Sequence, residues 1–339
     1  MRILENPWRG KGLPADVMSD APMPSLDAAA VRALLARCPV AAVTPLMDMG
    51  AFGGAGQVWA KDERGRMGLG SFKALGAAYV IAHAAQAGSL ADKVYVTASA
   101  GNHGMSVAAG AAAFGAKAVI YLAESVPEGF AERLRGMGAE VVRAGAIYEE
   151  SMNAAAMAAE NRGWTLLSDS SWPGYFDIPH RLMEGYLALA AEAVEQMPEV
   201  PSHVFLQAGV GGMAAACAAY FRHVWGDGPR IVVVEPEFAP ALRDSIAAGR
   251  AVAAVGGVSN MGRLDCKEPS LIALNGLARD ADVFMTISEE EGAGPMRLLA
   301  GSGAETTPSG GAGLAALLAG APLGAEARVL CILSEEPEA

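Results

Sequence analysis

The stretch Val94-Tyr95-Val96-Thr97-Ala98-Ser99-Ala100-Gly101-Asn102-His103-Gly104 decides the fold. Val94 to Thr97 are β-branched or aromatic and read as a buried strand. Ser99 to Gly104 reads as a turn, because small polar residues and glycine interrupt the apolar run. Met105 to Phe114 then reads as a helix, and Ala118 to Leu122 as a second strand. Strand, turn, helix, strand is the βαβ unit, which predicts a parallel sheet covered on both faces.

The alternation continues. Pro127 suits a helix's first turn and opens Glu128 to Met137. Glu140-Val141-Val142, a helix over Glu149 to Asn161, and Thr165-Leu166-Leu167 follow. A long helix over Leu182 to Met197 leads to a second series. Its strands are His203 to Gln207, Ile231 to Val234, Val283 to Ile287 and Val329 to Leu333, with helices over Met213 to Trp225 and Gly311 to Leu318. The pattern predicts two α/β lobes, residues 1–75 with 186–339 and residues 76–185. Ligands of such folds bind at the carboxyl ends of parallel strands, in the cleft. Ala251 to Pro269 is the least regular stretch and reads as a loop able to cover that cleft.

Composition excludes several classes. Hydrophobic residues make up 52% of the 339 and charged ones 18%, the opposite of a disordered chain. The net charge of -12, with no Lys/Arg cluster, argues against nucleic acid and anionic membrane. Gly104 to Ala123 is the most apolar run, but Lys117 and several glycines interrupt it, so no membrane span is expected. Met1 to Pro7 lacks a signal peptide's apolar stretch. Cys38, Cys217, Cys266 and Cys331 are scattered without a CxxC pair, which fits reduced thiols of a cytoplasmic protein. Five histidines without HExxH give no metal signature.

Five segments carry chemistry. Lys73 lies in Met67-Gly68-Leu69-Gly70-Ser71-Phe72-Lys73-Ala74-Leu75-Gly76, at the start of a helix. It reads either as a surface lysine or as an ammonium in an apolar pocket. There its pKa is expected to fall, leaving a neutral amine that attacks an aldehyde. Gln207-Ala208-Gly209-Val210-Gly211-Gly212-Met213 follows a strand and opens a helix. Its N–H groups suit a phosphate, and a plain tight turn is the other reading. The GxGxxG dinucleotide pattern is not matched, because Met213-Ala214-Ala215 follows Gly212. In Ser99 to Gly104, the backbone suits a substrate carboxylate and Asn102 a cofactor oxygen. His103 reads as a histidine bonded to backbone rather than as a catalytic one. Asp169, in Ser168-Asp169-Ser170-Ser171-Trp172-Pro173-Gly174-Tyr175, is an Asx-turn acid or a partly desolvated base. Ser334, after Leu330-Cys331-Ile332-Leu333, suits a pyridine nitrogen or is an ordinary strand-end serine.

Taken in order, a lysine segment, a Ser-x-Gly-Asn-His loop, a Gly-rich loop and a strand-end serine resemble the fold-type II pyridoxal-phosphate (PLP) enzymes. These are the threonine dehydratase and tryptophan synthase β-like proteins. The resemblance runs from Thr44-Pro45-Leu46 to Ser334 and is closest to the diaminopropionate ammonia-lyases. Lys61-Asp62-Glu63, Phe72 to Gly76, Asp169 to Tyr175, Ile178-Pro179, Val233-Val234-Glu235-Pro236 and Cys266-Lys267-Glu268-Pro269 carry the closer match. It implies a two-lobed α/β fold with the cofactor on the larger lobe and Lys73 bonded to it. It implies Gly209, Val210, Gly211, Gly212 and Met213 at the phosphate, Asn102 at the 3'-oxygen and Ser334 at the ring nitrogen. Ser99, Ala100, Gly101 and His103 would line the substrate, and Asp169 would be the acid used with the L-isomer.

Two positions depart from the family. Ala100 stands where the lyases have an aspartate, and Pro308-Ser309-Gly310 where they have Glu-Ser-Gly. Ala100 carries no proton, so an L-substrate is expected. The implied reaction is α,β-elimination from a small amino acid, 2,3-diaminopropionate first. The alternatives are a serine, threonine or hydroxyaspartate dehydratase, or a PLP-binding protein without turnover. A homodimer is expected from the prevalence of twofold symmetry.

Overall fold

The computed structural model describes residues 1–338. Strand β1 (Arg2–Glu5) precedes helix α1 (Ala28–Leu35), which Asp27 caps by accepting from the Ala30 N–H at 2.9 Å. The hairpin of β2 (Leu46–Phe52) and β3 (Ala55–Asp62) leads into α2 (Lys73–Ala85). The first βα series is β4 (Val94–Ala98), α3 (Asn102–Ala113), β5 (Lys117–Leu122), α4 (Glu128–Gly136), β6 (Glu140–Arg143), α5 (Tyr148–Arg162) and β7 (Thr165–Leu166). Helices α6 (Asp177–Gly185) and α7 (Leu187–Gln196) carry the chain to the second series. That series is β8 (His203–Gln207), α8 (Gly212–Trp225), β9 (Arg230–Pro236), α9 (Ala241–Ala248), α10 (Leu271–Asp280) and β10 (Val283–Ile287), then α11 (Glu289–Ala293), α12 (Met296–Gly301), α13 (Ala312–Leu318) and β11 (Arg328–Leu333).

The strands form two sheets, of order β6-β5-β4-β7 and β1-β10-β9-β8-β11-β3-β2. The smaller is parallel throughout. The larger has a parallel centre, and β8 to β11 are apolar almost end to end because helices cover both their faces. Its edges differ from the expected all-parallel sheet: β1 pairs antiparallel to β10, and β2 to β3. An antiparallel edge needs only a short connection, and the hairpin turn is made by Gly53 and Gly54 with positive φ.

Two boundaries depart from the sequence reading. The single helix over Leu182 to Met197 is two, α6 and α7. At their junction the Tyr186 N–H bonds the Met183 carbonyl, a tightened i to i-3 turn. Helix α3 begins at Asn102, so Asn102 and His103 lie in its first turn instead of the preceding loop.

Helix α2 closes against α6 through two glycines. A Cβ on Gly185 would lie 2.5 Å from the Leu75 carbonyl oxygen and 2.9 Å from Gly76 Cα. Beside this contact lies a fully buried ionic network. Arg66 Nη2 bonds Glu192 Oε2 at 2.6 Å, Arg66 Nε bonds Glu63 Oε2 at 2.7 Å, and Lys61 Nζ bonds Glu192 Oε2 at 2.7 Å. Two cations meet two carboxylates, so no net charge is buried. The network fixes the end of β3, and with it the start of α2, against α7. Removing one partner strands the others without water. Glu192→Ala is therefore expected to lower unfolding free energy by about 3–5 kcal/mol in a urea titration. A change under about 1 kcal/mol would show that solvent reaches Lys61 and Arg66 once Glu192 is gone.

Candidate active site

Lys73 is the first residue of α2, and its N–H bonds Ser71 Oγ at 3.1 Å. The segment before it runs beside the residues after β11. Phe72 N–H bonds the Ser334 carbonyl at 3.1 Å, and Glu336 N–H bonds the Gly70 carbonyl at 2.9 Å. This pairing sets Lys73 at the carboxyl ends of β3 and β11. Its ammonium donates to Asp169 Oδ2 at 2.5 Å, with the two side chains 21% and 19% exposed.

Asp169 follows β7 of the smaller sheet. Its loop is held by Tyr175, which accepts from the Ser168 N–H, donates to the Leu166 carbonyl and stacks on Trp172 with ring centroids 4.4 Å apart. The ion pair overturns the expected fall in the Lys73 pKa. Burial, the largest single influence, pushes the ammonium down, but the charge and hydrogen bond of Asp169, with Tyr186 and Cys266, together outweigh it and hold Lys73 well above the lysine range. Asp169 is the mirror case: burial, the largest single influence, raises it, and the charge and hydrogen bond of Lys73 together with His103 and the backbone reverse this, holding it well below the carboxylate range. Within the pair the proton therefore sits on Lys73 Nζ.

The Gly-rich turn lies between β8 and α8. Gly211 has φ +96°, and a Cβ there would meet Leu242 Cδ1 at 2.9 Å and Ala273 Cβ at 3.0 Å. A Cβ on Gly209 would meet Cys266 Sγ at 2.9 Å. Among the described residues, the N–H groups of Gly209, Gly211, Gly212 and Met213 donate to no backbone oxygen. Val210 holds the loop down instead, its carbonyl accepting from the Ser270 N–H at 3.0 Å. Beside Gly212 stands Tyr186, whose buried hydroxyl has no partner and whose phenol burial pushes well up. Free N–H groups, a helix N-terminus and an orphaned hydroxyl together make an uncharged anion cradle.

The third wall is the Ser99 to Gly104 loop. Ser99 Oγ accepts from the Gly101 N–H at 3.3 Å, so that N–H is spoken for. The Ala100, Asn102 and His103 N–H groups have no backbone acceptor among the described residues. His103 Nε2 bonds the Leu167 carbonyl at 2.8 Å, and burial keeps its ring neutral. The bonded nitrogen carries the proton, so the buried Nδ1, which has no partner, is an acceptor.

Ser334 is buried, its N–H bonded to the Gly310 carbonyl at 3.1 Å. Its neighbour Glu335, which the sequence reading passed over, accepts from Asn102 Nδ2 at 2.5 Å. Arg263, Cys266 and Tyr186 were also missed. Arg263 Nε would lie 3.4 Å from a Cβ on Gly101, so the irregular stretch from Ala251 does touch both glycine loops. The Cys266 thiol, pushed up to about 12 by burial and the Asp169 charge, stays protonated. Only the position of Glu335 directly after Ser334 offered a signal in sequence. The others meet the site through tertiary packing alone.

Comparison with known proteins gives the geometry a context. The family model described as pyridoxal-phosphate dependent enzyme matches residues 39–335. A diaminopropionate ammonia-lyase of Salmonella typhimurium is 34% identical over 300 residues, 78% of this chain and 73% of that protein. An L-threonine ammonia-lyase of Geobacter sulfurreducens is 30% identical over 247 residues, 71% of this chain and 58% of that protein. The crystal structure of the Escherichia coli diaminopropionate ammonia-lyase with an aminoacrylate-PLP azomethine intermediate superposes with a TM-score of 0.86. It shares 28% identity and covers 99% of this chain and 93% of that one.

If the cradle holds the phosphate, Gly211→Asp sets a carboxylate where an anion must approach. The variant is expected to purify with ordinary far-UV circular dichroism and without bound PLP. Full PLP content in a folded Gly211→Asp protein would locate the anion elsewhere.

Proposed function

The chain belongs to the pyridoxal-phosphate dependent enzyme family, and from that premise we propose that it converts 2,3-diaminopropionate and water to pyruvate and two ammonias. It is a fold-type II PLP-dependent ammonia-lyase. The observation that carries the substrate reading is the Asp169 carboxylate, 2.5 Å from Lys73 Nζ, an acid placed to serve a cationic leaving amine.

The residues fit the cofactor. The free N–H groups of the Gly209 to Met213 loop and the orphaned Tyr186 hydroxyl suit its phosphate. Lys73 suits its aldehyde, Asn102 its 3'-oxygen, and the Ser334 hydroxyl its ring nitrogen. When bound, PLP supplies a conjugated ring that spreads the negative charge left on the substrate's α-carbon.

The chain's own groups do the rest. The Nζ proton must leave before Lys73 can act as a neutral amine, and Asp169 Oδ2 is the acceptor at contact distance. The Ala100 and His103 N–H groups, at the start of α3, hold the substrate carboxylate. Neutral Lys73 then removes the α-proton, or Asp169 does so where it is still a carboxylate; the Asp169 carboxyl, carrying the one proton it has taken from Nζ or from the α-carbon, protonates the departing β-amine. Ser-Ala-Gly-Asn-His, with Ala100 in place of an acid, favours a second reading, dehydration of serine or threonine. A homodimer in the cytoplasm, with residues 1–75 and 186–339 as the cofactor lobe and 76–185 as the smaller lobe, completes the proposal.

A panel of small amino acids of both configurations tests the substrate. Diaminopropionate gives two ammonias per pyruvate and serine gives one, so the ratio distinguishes the readings. Pyruvate from serine or 2-oxobutanoate from threonine, with no turnover of diaminopropionate, would replace the first reading by the second. The L-isomer is expected to exceed the D-isomer in kcat/KM, because Ala100 carries no proton. Borohydride reduction should leave pyridoxyl on Lys73, identified by mass spectrometry, and a label on another lysine would refute that role. Asp169→Asn should lower kcat by roughly 100-fold, the scale of a lost acid–base group. Turnover at the wild-type rate would transfer the proton work to another residue.

A further inference from the structure

Glu335 is an acid that the reaction as described does not use, and it stands at the cleft. It follows β11 on the larger sheet, while the Asn102 amide it accepts from opens α3 on the smaller one. The 2.5 Å bond between them thus crosses from one sheet to the other. Glu335 is 4% exposed, a costly place for a carboxylate without a task.

Its surroundings hold it rigid. Thr307 Oγ1 donates to Glu335 Oε1, and Thr306 Oγ1 donates to the Glu335 carbonyl at 2.5 Å. Gly310 leaves the room the side chain fills, since a Cβ there would lie 2.9 Å from Glu335 Cγ. Arg263 Nε lies 3.7 Å from Oε2, too far for a hydrogen bond but close enough to offset its charge. Glu338 is the other charged group facing it. Burial, the largest influence, and Glu338 push Glu335 up, Thr307, Arg263 and Asn102 pull it down, and the net shift is upward.

A side-chain amide fits most sites either way round, its NH2 and its oxygen being similar in size. A carboxylate removes that freedom, because it only accepts. Facing Glu335, Asn102 must present Nδ2, and the second hydrogen of that nitrogen is left to point elsewhere. Without Glu335 the amide is free to turn and offer its oxygen, which repels another acceptor.

We propose that Glu335 is a positioning residue: it fixes the Asn102 amide in the orientation whose second N–H serves the 3'-oxygen of bound PLP. The proposal rests on the reading that Asn102 meets that oxygen. It gives the C-terminal strand end a second duty beside that of Ser334, and it ties cofactor grip to the closeness of the two sheets.

The test is a double-mutant cycle on the holoenzyme. The PLP dissociation constant and the absorption maximum of the visible band are read across serial dilutions of wild type, Glu335→Ala, Glu335→Gln, Asn102→Ala and Glu335→Ala/Asn102→Ala. Glu335→Ala should weaken PLP binding about tenfold, the scale of a lost hydrogen bond to a charged group, and shift the band. Glu335→Gln should stay within about threefold and keep the wild-type band, since its carbonyl still accepts from Nδ2. The double variant should bind PLP as Asn102→Ala does, because a residue acting through Asn102 has nothing to lose once Asn102 is gone. Additive losses in the double variant would overturn the proposal and leave Glu335 a general prop of the fold. So would a glutamine variant as weak as the alanine one. Asn102→Ala with unchanged affinity and spectrum would refute the underlying assignment of Asn102 to the 3'-oxygen, and the proposal with it.

Discussion

The ammonium of Lys73 and the carboxylate of Asp169, 2.5 Å apart, are the constraint on which the rest of the site depends. Lys73 follows the last residues of β3, and Asp169 follows β7. They meet only if both sheets aim their carboxyl ends at one cleft. The Gly185–Gly76 contact, the buried Lys61–Glu63–Arg66–Glu192 network and the antiparallel hairpin that starts it all bear on where α2 begins. A buried ion pair is a weak source of stability, since desolvation consumes most of its attraction. Each partner moves the other's pKa away from neutrality, so the proton has a defined resting place and an acceptor at contact distance.

Much of this architecture was legible in the sequence. Strands β4, β5, β8, β9, β10 and β11 lie within about two residues of their expected ends, because strands covered on both faces are unbroken apolar runs. What was not legible lacks that signature. Strand β1 is short and mostly exposed on an edge, and β2 is half-buried and interrupted by Gly50. Helices α9 and α10 flank the irregular stretch from Ala251, where no period survives.

Within the candidate site, the glycine loops and Lys73 stand out in the sequence through residue type and spacing. The charge state of Lys73 did not, and the reason is physical. Residues 67–76 alone describe an ammonium among apolar groups, for which burial predicts a depressed pKa. Asp169 lies 96 residues away in sequence and reverses the sign. The orphaned Tyr186 hydroxyl and the reach of Glu335 to Asn102 are likewise properties of packing, invisible to any local window.

Charge balance bears on the substrate. Lys73 and Asp169 cancel, and Arg263 faces Glu335 at 3.7 Å, so the side chains of the cleft hold nearly equal charge of each sign. The anion cradle adds no cationic side chain, only N–H groups and the N-terminus of a 14-residue helix. A phosphate bound there makes the cleft negative, inside a chain that already carries a net charge of -12. Serine and threonine enter such a cleft with no net charge. Diaminopropionate brings an additional ammonium whenever its β-amine is protonated, and that protonation, which the Asp169 carboxyl restores where the proton has been lost, makes the amine a leaving group. The field that draws this substrate in therefore also favours the form that reacts.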